Sequence, residues 1–259
     1  AILALQKALE IEPKNIDYYN NLAFIYKNQG MFYESMNTYK DALQIFPNKS
    51  AVLRNLNITK SEAVPGWHIP MMNEKIRNDS DKKALSLAIN GDELVLDIGT
   101  GAGLLSVMAC ECGAKKVVTC EISKAISKIA EKIIDKNGFS KKINIINKNS
   151  CDLVIGKEMK KKADILVSEI LSSEFVGEGI QKTILDAKKR LLKQKGKIIP
   201  EKGSIMIALI ENTEKLSKEL FIDKASGYDL GDFNSLIGSK RFLTFEEKPS
   251  LMSDPYEAF

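Results

Sequence analysis

The sequence has little histidine, little cysteine and no long apolar run. It contains one His and four Cys, and Cys110, Cys112, Cys120 and Cys151 lack the spacing of metal ligands. No apolar run approaches the ~20 residues that a membrane-spanning helix needs. These absences predict no bound metal and no membrane partner. Unpaired cysteines and the lack of a signal-peptide pattern indicate a cytoplasmic protein, and also a nuclear one if the source is eukaryotic.

A strong excess of charge of one sign is also missing. The 38 basic residues exceed the 34 acidic ones only slightly, for a net charge of +4. Lysine-rich stretches occur at Lys160–Lys162 and Lys188–Arg190, but no aromatic residues alternate with them to stack on bases. The second stretch fits the exposed face and last turn of an amphipathic helix. We therefore expect no nucleic-acid partner.

The first sixty residues contain a repeat of 34 residues. Ala8, Leu9, Ile11 and Pro13 recur 34 positions later as Ala42, Leu43, Ile45 and Pro47. This period is typical of a tetratricopeptide helical hairpin, and the segment resembles that repeat family over roughly residues 1–57. We predict an all-α tetratricopeptide repeat module at residues 1–60, which would bind a partner protein.

Three further segments follow the repeat. Pro65, Gly66 and Pro70 interrupt the helical pattern, so within residues 61–90 a linker is predicted from Ser61 to Pro70 and a short helical segment from Met71 to Asn90. Residues 91–200 alternate between strand and helix patterns, which predicts an α/β domain with a mostly parallel sheet. Residues 201–259 are β-rich and predict the start of an antiparallel domain. Since the chain begins within a predicted helix and ends within a predicted strand, we expect it to be part of a longer protein.

A glycine-rich loop joins the first buried strand of the α/β segment to a helix. The run from Val95 to Gly103 has glycines at 99, 101 and 103, which let the backbone turn sharply and approach a ligand. A dinucleotide fingerprint would need a glycine where Leu104 stands. Asp97 would repel a pyrophosphate but suits a ligand with a cationic amino-acid end. Glu121, at the end of the next strand, is placed to accept both hydroxyls of a ribose.

This combination resembles the S-adenosylmethionine-dependent methyltransferases with a Rossmann-like, seven-stranded sheet. The resemblance implies S-adenosyl-L-methionine as cofactor and S-adenosyl-L-homocysteine as product. It also implies that Asp97, Gly99, Gly101 and Glu121 bind the cofactor. The alternative interpretation of the loop is a tight turn between strand and helix that binds no ligand.

Two glutamates follow a later strand of the same sheet. Glu169 and Glu178 lie nine residues apart in a loop that should line the ligand crevice. Because arginine stays charged, its planar fork of donors is best held by two carboxylates. The spacing resembles the double-glutamate loop of the protein arginine N-methyltransferases. In that family the pair is catalytic and the acceptor is an arginine-containing protein, and a β-barrel would occupy residues 201–259.

An upstream segment extends the resemblance. Residues 66–78 resemble the segment that folds over the cofactor in this family, and their Gly-Trp-His start is most like its tetratricopeptide-bearing branch. By position, Arg77 would pair with the cofactor carboxylate, with His68 and Met71 near that end, and Ser150 and Cys151 would contact the adenine. Asp81 stands where family members often have Tyr.

Two other functions remain open from the sequence. The chain could be a tetratricopeptide scaffold with an inactive methyltransferase domain, or a methyltransferase for an acceptor other than arginine. The intact set of Arg77, Asp97, Gly99, Gly101 and Glu121 argues against loss of the cofactor site.

Overall fold

The computed structural model describes residues 1–171, 177, 179–211, 221–236 and 250–258. The chain divides into two compact units, Ala1–Lys202 and Gly203–Phe259. In the described part of the chain, no helix has both the length and the apolar character needed to cross a membrane.

The first unit begins with four helices that pack in sequence order. They are α1 (Ile2–Ile11), α2 (Ile16–Asn28), α3 (Phe32–Ile45) and α4 (Ser50–Ala63). Asn15 fixes the start of α2, since its side chain accepts hydrogen bonds from the backbone N–H groups of Asp17 and Tyr18. Gly30 permits the turn into α3, because its φ of 72° is unfavourable for residues with a side chain.

Small residues allow α2 and α3 to approach closely. Ala23 and Ala42 are completely buried in a core that also contains Tyr39, Val52 and Leu56. Ser35 is buried as well, and its hydroxyl donates a hydrogen bond of 2.8 Å to the carbonyl oxygen of Ala23. This packing forms the helical hairpin that the 34-residue repeat predicts.

The linker after the helical module is shorter than predicted. Helix α4 continues to Ala63 because its buried stripe of Val52, Leu56, Thr59 and Ala63 keeps the helical spacing to the end. Between α4 and the next helix, residues 64–67 are the part that is not helical. Two further helices follow, α5 (His68–Met72) and α6 (Lys75–Ala88).

Five parallel strands form the sheet of the first unit. They are β1 (Leu94–Ile98), β2 (Lys116–Cys120), β3 (Ile143–Ile146), β4 (Ala163–Ser168) and β5 (Leu192–Ile199). Their order across the sheet is β3-β2-β1-β4-β5, and every neighbouring pair is parallel. All five strands therefore end at the same edge, with the order reversing beside β1. In such sheets that edge is where ligands bind.

Three helices that connect strands cover the sheet together with α6. They are α7 (Leu104–Glu111), α8 (Lys124–Lys136) and α9 (Ile180–Arg190). One core joins Val95 of β1 to residues of α6, α7 and α8. The other joins Leu94 and Leu96 to Ala187 of α9. The expected α/β domain with a parallel sheet is confirmed.

Helix α8 also contacts the helical module. Lys124, its first residue, forms an ion pair with Glu34 of α3 and lies over the ring of Tyr33, 5.4 Å from the ring centre. The helical module thus packs beside the start of α8.

The second unit contains short antiparallel pairs among its described residues. Strands β6 (Met206–Ile207) and β9 (Tyr256–Glu257) form one pair, and β7 (Lys224–Ala225) and β8 (Tyr228–Asp229) form another. The predicted strand near residues 241–245 lies outside the described residues. A seven-stranded sheet and a β-barrel remain predictions.

Replacement of Leu85 by alanine tests how α6 is held on the sheet. Leu85 is fully buried, whereas Leu87 of the same helix is 73% exposed. Leu85→Ala should lower the free energy of unfolding by about 2–5 kcal/mol, because it leaves a cavity in the core. Leu87→Ala should change it by less than about 0.5 kcal/mol. Urea unfolding measures both, and equal effects would contradict the packing described.

Candidate active site

A cavity of ≈ 440 Å³ lies at the edge where the parallel strands end. Helices α5 and α6, the glycine loop, the end of β2 and the segments after β3 and β4 contribute its lining. Cavities that hold small ligands and cofactors measure about 300–1,000 Å³. The cavity is therefore large enough for a cofactor of nucleoside size.

The glycine loop is fixed to β2 and packed closely against the segment after β4. The N–H groups of Gly99 and Thr100 donate hydrogen bonds of 3.0 and 3.1 Å to the carbonyl oxygen of Cys120. Gly99 has a φ of 89°, and a Cβ atom there would lie 2.5 Å from the Cγ2 atom of Ile170. A side chain at position 99 would thus be both strained and in collision.

Glu121 joins the glycine loop to the start of α8. Its Oε2 accepts a hydrogen bond of 3.1 Å from the Gly101 N–H, and its Oε1 accepts one of 2.8 Å from the Ser123 N–H. Ser123 in turn caps α8 by accepting from the N–H of Ile126. An ionised carboxylate has about four acceptor positions. Glu121, which lines the cavity, therefore keeps acceptor capacity for hydroxyl groups.

Asp97 supports the glycine loop from behind and does not line the cavity. It is completely buried, and its Oδ2 accepts hydrogen bonds from the hydroxyls of Ser106 at 2.6 Å and Thr119 at 3.1 Å. Its Oδ1 has no hydrogen-bond partner among the described residues. Burial raises the pKa of Asp97 to about 7, although the bonds from Ser106 and Thr119 act in the opposite direction. Asp97, which was predicted to bind the cofactor, thus lies behind the loop and not in the cavity lining.

Arg77 and Glu169 meet at the cavity wall. A terminal guanidinium nitrogen of Arg77 lies 3.2 Å from Oε1 of Glu169, and the other lies 3.0 Å from Oε2 of Glu74. Arg77 was predicted to bind the cofactor and Glu169 the substrate, and the structure places the two side chains in contact. Glu178 lies outside the described residues.

Helices α5 and α6 contribute an acidic group as well as Arg77 to the cavity lining. Asp81 lines the cavity. Burial raises the pKa of its carboxyl above the ordinary value, although the charge of Arg77 acts in the opposite direction. The rings of Trp67 and His68 stack with their centres 4.2 Å apart, and both residues line the cavity.

The segment after β3 also lines the cavity. It forms a single 3₁₀ turn at Ser150–Asp152, and Ser150 is buried and lines the cavity. Cys151 does not line the cavity, and its N–H donates a 2.9 Å hydrogen bond to Oδ1 of Asn149. Lys148 and Asn149 also line the cavity. Neither Lys148 nor Asn149 was predicted as a site residue, although the two directly precede Ser150.

The structure brings together most of the predicted site residues. The cavity is lined by His68, Met71, Arg77, Gly99, Gly101, Glu121, Ser150 and Glu169. The described residues contain no group of three or more His, Cys, Asp or Glu side chains arranged to hold a metal ion.

Gly99→Ala tests the close packing of the loop. The matched control is Gly91→Ala, because Gly91 also has a positive φ but has no atom within 4 Å of a Cβ placed there. Both variants should lose about 1–2 kcal/mol of stability from backbone strain. Gly99→Ala should lose a further ~1–3 kcal/mol because of the collision with Ile170. Urea unfolding provides the comparison, and equal losses would show that the loop can move away.

The raised pKa of Asp97 predicts that the folded protein becomes less stable as the pH rises. Its pKa is about 7 in the folded protein, against about 3.9 in an unfolded chain. The folded protein therefore holds the extra proton between these values, and stability falls as the pH rises from about 4 to 7. Asp97→Asn should stabilise the protein relative to wild type more at pH 8 than at pH 5, by on the order of 2–3 kcal/mol.

Asp92→Asn provides the control for this measurement, because the Asp92 side chain is 94% exposed. Its difference from wild type in urea unfolding should be the same at pH 5 and pH 8. An equally constant difference for Asp97→Asn would show that Asp97 is already ionised at pH 5.

Two family models match the chain. The model of the ribosomal protein L11 methyltransferase (PrmA) family matches residues 82–220, more than half of the chain. A tetratricopeptide repeat model matches residues 4–36. The first match covers the glycine loop, Glu121 and Glu169, and the second covers most of α1, all of α2 and the first residues of α3.

Curated relatives and a solved structure agree with these matches. An arginine N(omega)-methyltransferase of Streptomyces achromogenes is 34% identical over 69% of this chain and 49% of the relative. Protein arginine N-methyltransferase 9 of Xenopus laevis is 29% identical over 88% of this chain and 29% of the relative. A Trypanosoma brucei PRMT1 enzyme–prozyme complex with AdoHcy aligns with a TM-score of 0.59 and 29% identity, over 68% of this chain and 55% of that one. This chain therefore spans half or less of the length of these curated relatives.

Proposed function

We propose that this chain, which belongs to the PrmA methyltransferase family by its model match and is similar to arginine N-methyltransferases, methylates arginine in proteins. The acceptor is a guanidinium nitrogen and the donor is S-adenosyl-L-methionine. The observation that carries the proposal is the contact between Arg77 and Glu169. It places a guanidinium against a carboxylate at 3.2 Å, in the same cavity as the glycine loop.

The residues of the cavity fit the proposed cofactor. Gly99 and Gly101 line the cavity, and Glu121 has acceptor capacity for ribose hydroxyls. Ser150 is proposed to contact the adenine, and Arg77, His68 and Met71 are proposed to lie near the methionine part; all four line the cavity. Asp97 contributes through the loop it supports. When bound, S-adenosyl-L-methionine supplies an electrophilic methyl group on its sulfonium sulfur.

Glu169 and Glu178 are proposed to hold the acceptor arginine. Arginine remains protonated at neutral pH, so two carboxylates both balance its charge and fix the plane of its guanidinium. Fixing that plane aims one nitrogen at the methyl group, which lowers the entropic part of the barrier. After transfer, one glutamate accepts the proton that the nitrogen loses.

Arg77 is proposed to link the two binding sites. Its guanidinium has five N–H donors, so it can bind the carboxylate of the cofactor while still donating to Glu169. In the structure its two terminal nitrogens are paired with Glu74 and Glu169. Exchange of Glu74 for the cofactor carboxylate would leave the contact with Glu169 intact and hold that glutamate in place for the substrate.

The remaining parts of the chain have proposed roles around this site. Residues 1–60 form a tetratricopeptide module that recruits a protein partner or substrate, and residues 61–90 cover the cofactor. Residues 91–200 form the methyltransferase domain, for which we propose the seven-stranded sheet of its class. Residues 201–259 begin a β-barrel that contributes to substrate binding. We propose a cytoplasmic location.

Glu169→Gln tests the assigned mechanism. With the full-length protein, transfer of a labelled methyl group to an arginine-rich peptide should fall by about 10²–10³, because an amide cannot balance the guanidinium charge. Glu178→Gln should behave similarly. Glu111→Gln is the matched control, since Glu111 also pairs with a cation, Lys82 at 2.8 Å, but does not line the cavity. It should retain wild-type turnover.

The same assay separates the alternatives. A peptide with lysine in place of every arginine should accept no label, and labelling of it at wild-type rate in the glutamate variants would indicate another acceptor.

Calorimetry with S-adenosyl-L-homocysteine tests the scaffold alternative, because an inactive domain without a cofactor site should give no binding heat. Full turnover in Glu169→Gln would refute the role proposed for that residue.

A further inference from the structure

Arg190, at the end of α9, contacts the turn after β3 that lines part of the cavity. One terminal nitrogen donates to the carbonyl oxygen of Leu153 at 2.7 Å. The other donates to the carbonyl oxygens of Ser150 at 3.2 Å and Cys151 at 3.1 Å. A single guanidinium thus binds three carbonyl oxygens of the segment that contains the 3₁₀ turn.

Asp186 fixes the orientation of that guanidinium. Its Oδ1 lies 2.6 Å from Nε of Arg190, and its Oδ2 pairs with the nitrogen that also reaches Ser150 and Cys151. The two residues are four apart on α9, so the helix itself sets their spacing. Consistent with this contact, the hydrogen bond from Arg190 lowers the pKa of Asp186.

The shape of the guanidinium is essential to this arrangement. Its planar fork can donate to Asp186 on one side and to several carbonyl oxygens on the other. A lysine ammonium has the same charge, but its three donors share one nitrogen and cannot span these acceptors. The turn is also supported by the Asn149 cap, by the hydrogen bond of 3.2 Å from the Leu153 N–H to the carbonyl oxygen of Ser150, and by the buried side chain of Leu153. These contacts lie within the turn and its own segment, whereas Arg190 binds the segment from α9.

We propose that Arg190, held by Asp186, is a positioning residue that sets the base selectivity of the cavity. It acts through Asn149 and Ser150, which line the cavity on the turn that Arg190 binds. This inference rests on the proposed use of an adenine-bearing cofactor. Adenine offers an amino donor and a ring-nitrogen acceptor, whereas hypoxanthine reverses both. A turn held in one position distinguishes these patterns, and a displaced turn does not, because its polar groups no longer meet the base edge.

The test measures binding by the full-length protein with two ligands. S-Adenosyl-L-homocysteine and its hypoxanthine counterpart are titrated calorimetrically into wild type, Arg190→Lys, Arg190→Gln and Lys188→Gln. Wild type should prefer the adenine ligand. Both Arg190 variants should bind it roughly tenfold more weakly, yet bind the hypoxanthine ligand almost unchanged. Lys188→Gln removes an equal charge from an exposed neighbouring position and should keep the wild-type ratio.

The ratio of the two affinities decides the outcome. An equal loss for both ligands, or an unchanged ratio in Arg190→Lys, would overturn the proposal, since a merely structural role weakens both alike. If Arg190→Gln does not fold, Arg190→Lys and Asp186→Asn carry the test, and thermal unfolding shows that they are folded. Wild type that binds neither ligand would overturn the inference together with the cofactor. Wild type that shows the expected ratio but no arginine methylation would overturn only the proposed activity.

Discussion

The contact between the glycine loop and the end of β2 is the constraint on which the site depends. The carbonyl oxygen of Cys120 accepts two loop N–H groups, and Glu121, the next residue, accepts a third from Gly101. These bonds require β1 and β2 to be adjacent, parallel and in register, as the pairing of Ile98 with Cys120 shows. Given that register, Cys120, Glu121 and Ser123 hold both the glycine loop and the start of α8. The two cores on either side of the sheet serve to hold this edge.

Local patterns were sufficient for much of this arrangement. The 34-residue period, the alternation of strands and helices, and the spacing from Gly99 to Glu121 all involve residues that are close in sequence or periodic. They correctly predicted the helical hairpin and the parallel sheet, and the structure places both Gly99 and Glu121 at the cavity. The linker was predicted too long because Pro65 and Gly66 indicate a break but do not show how far α4 continues before it. The buried stripe ending at Ala63 decides that point.

Features that depend on long-range packing were not accessible from the sequence. All five residues of β1 are buried, so alternation does not reveal which way Asp97 faces, and a carboxylate before the glycines resembles a ligand contact. Arg77 and Glu169 are 92 residues apart and belong to two different motifs. Arg190 belongs to a run of basic residues that indicates an exposed helix face. Its carbonyl partners lie 37 to 40 residues away, and backbone acceptors leave no pattern in a sequence.

The ion pair between Lys124 and Glu34 has a thermodynamic consequence. Lys124 is the first residue of α8, whose Ser123 cap is bonded to Glu121 at the cavity. The helical module and the cavity therefore share one boundary, the start of α8. If a change in the module moved the start of α8, it would alter the free energy of ligand binding, and linkage would then require the ligand to alter that change in the module by the same free energy. In that case a partner bound to the helical module would change the affinity of the cavity for its ligand, and the ligand would change the affinity of the module for its partner by the same factor.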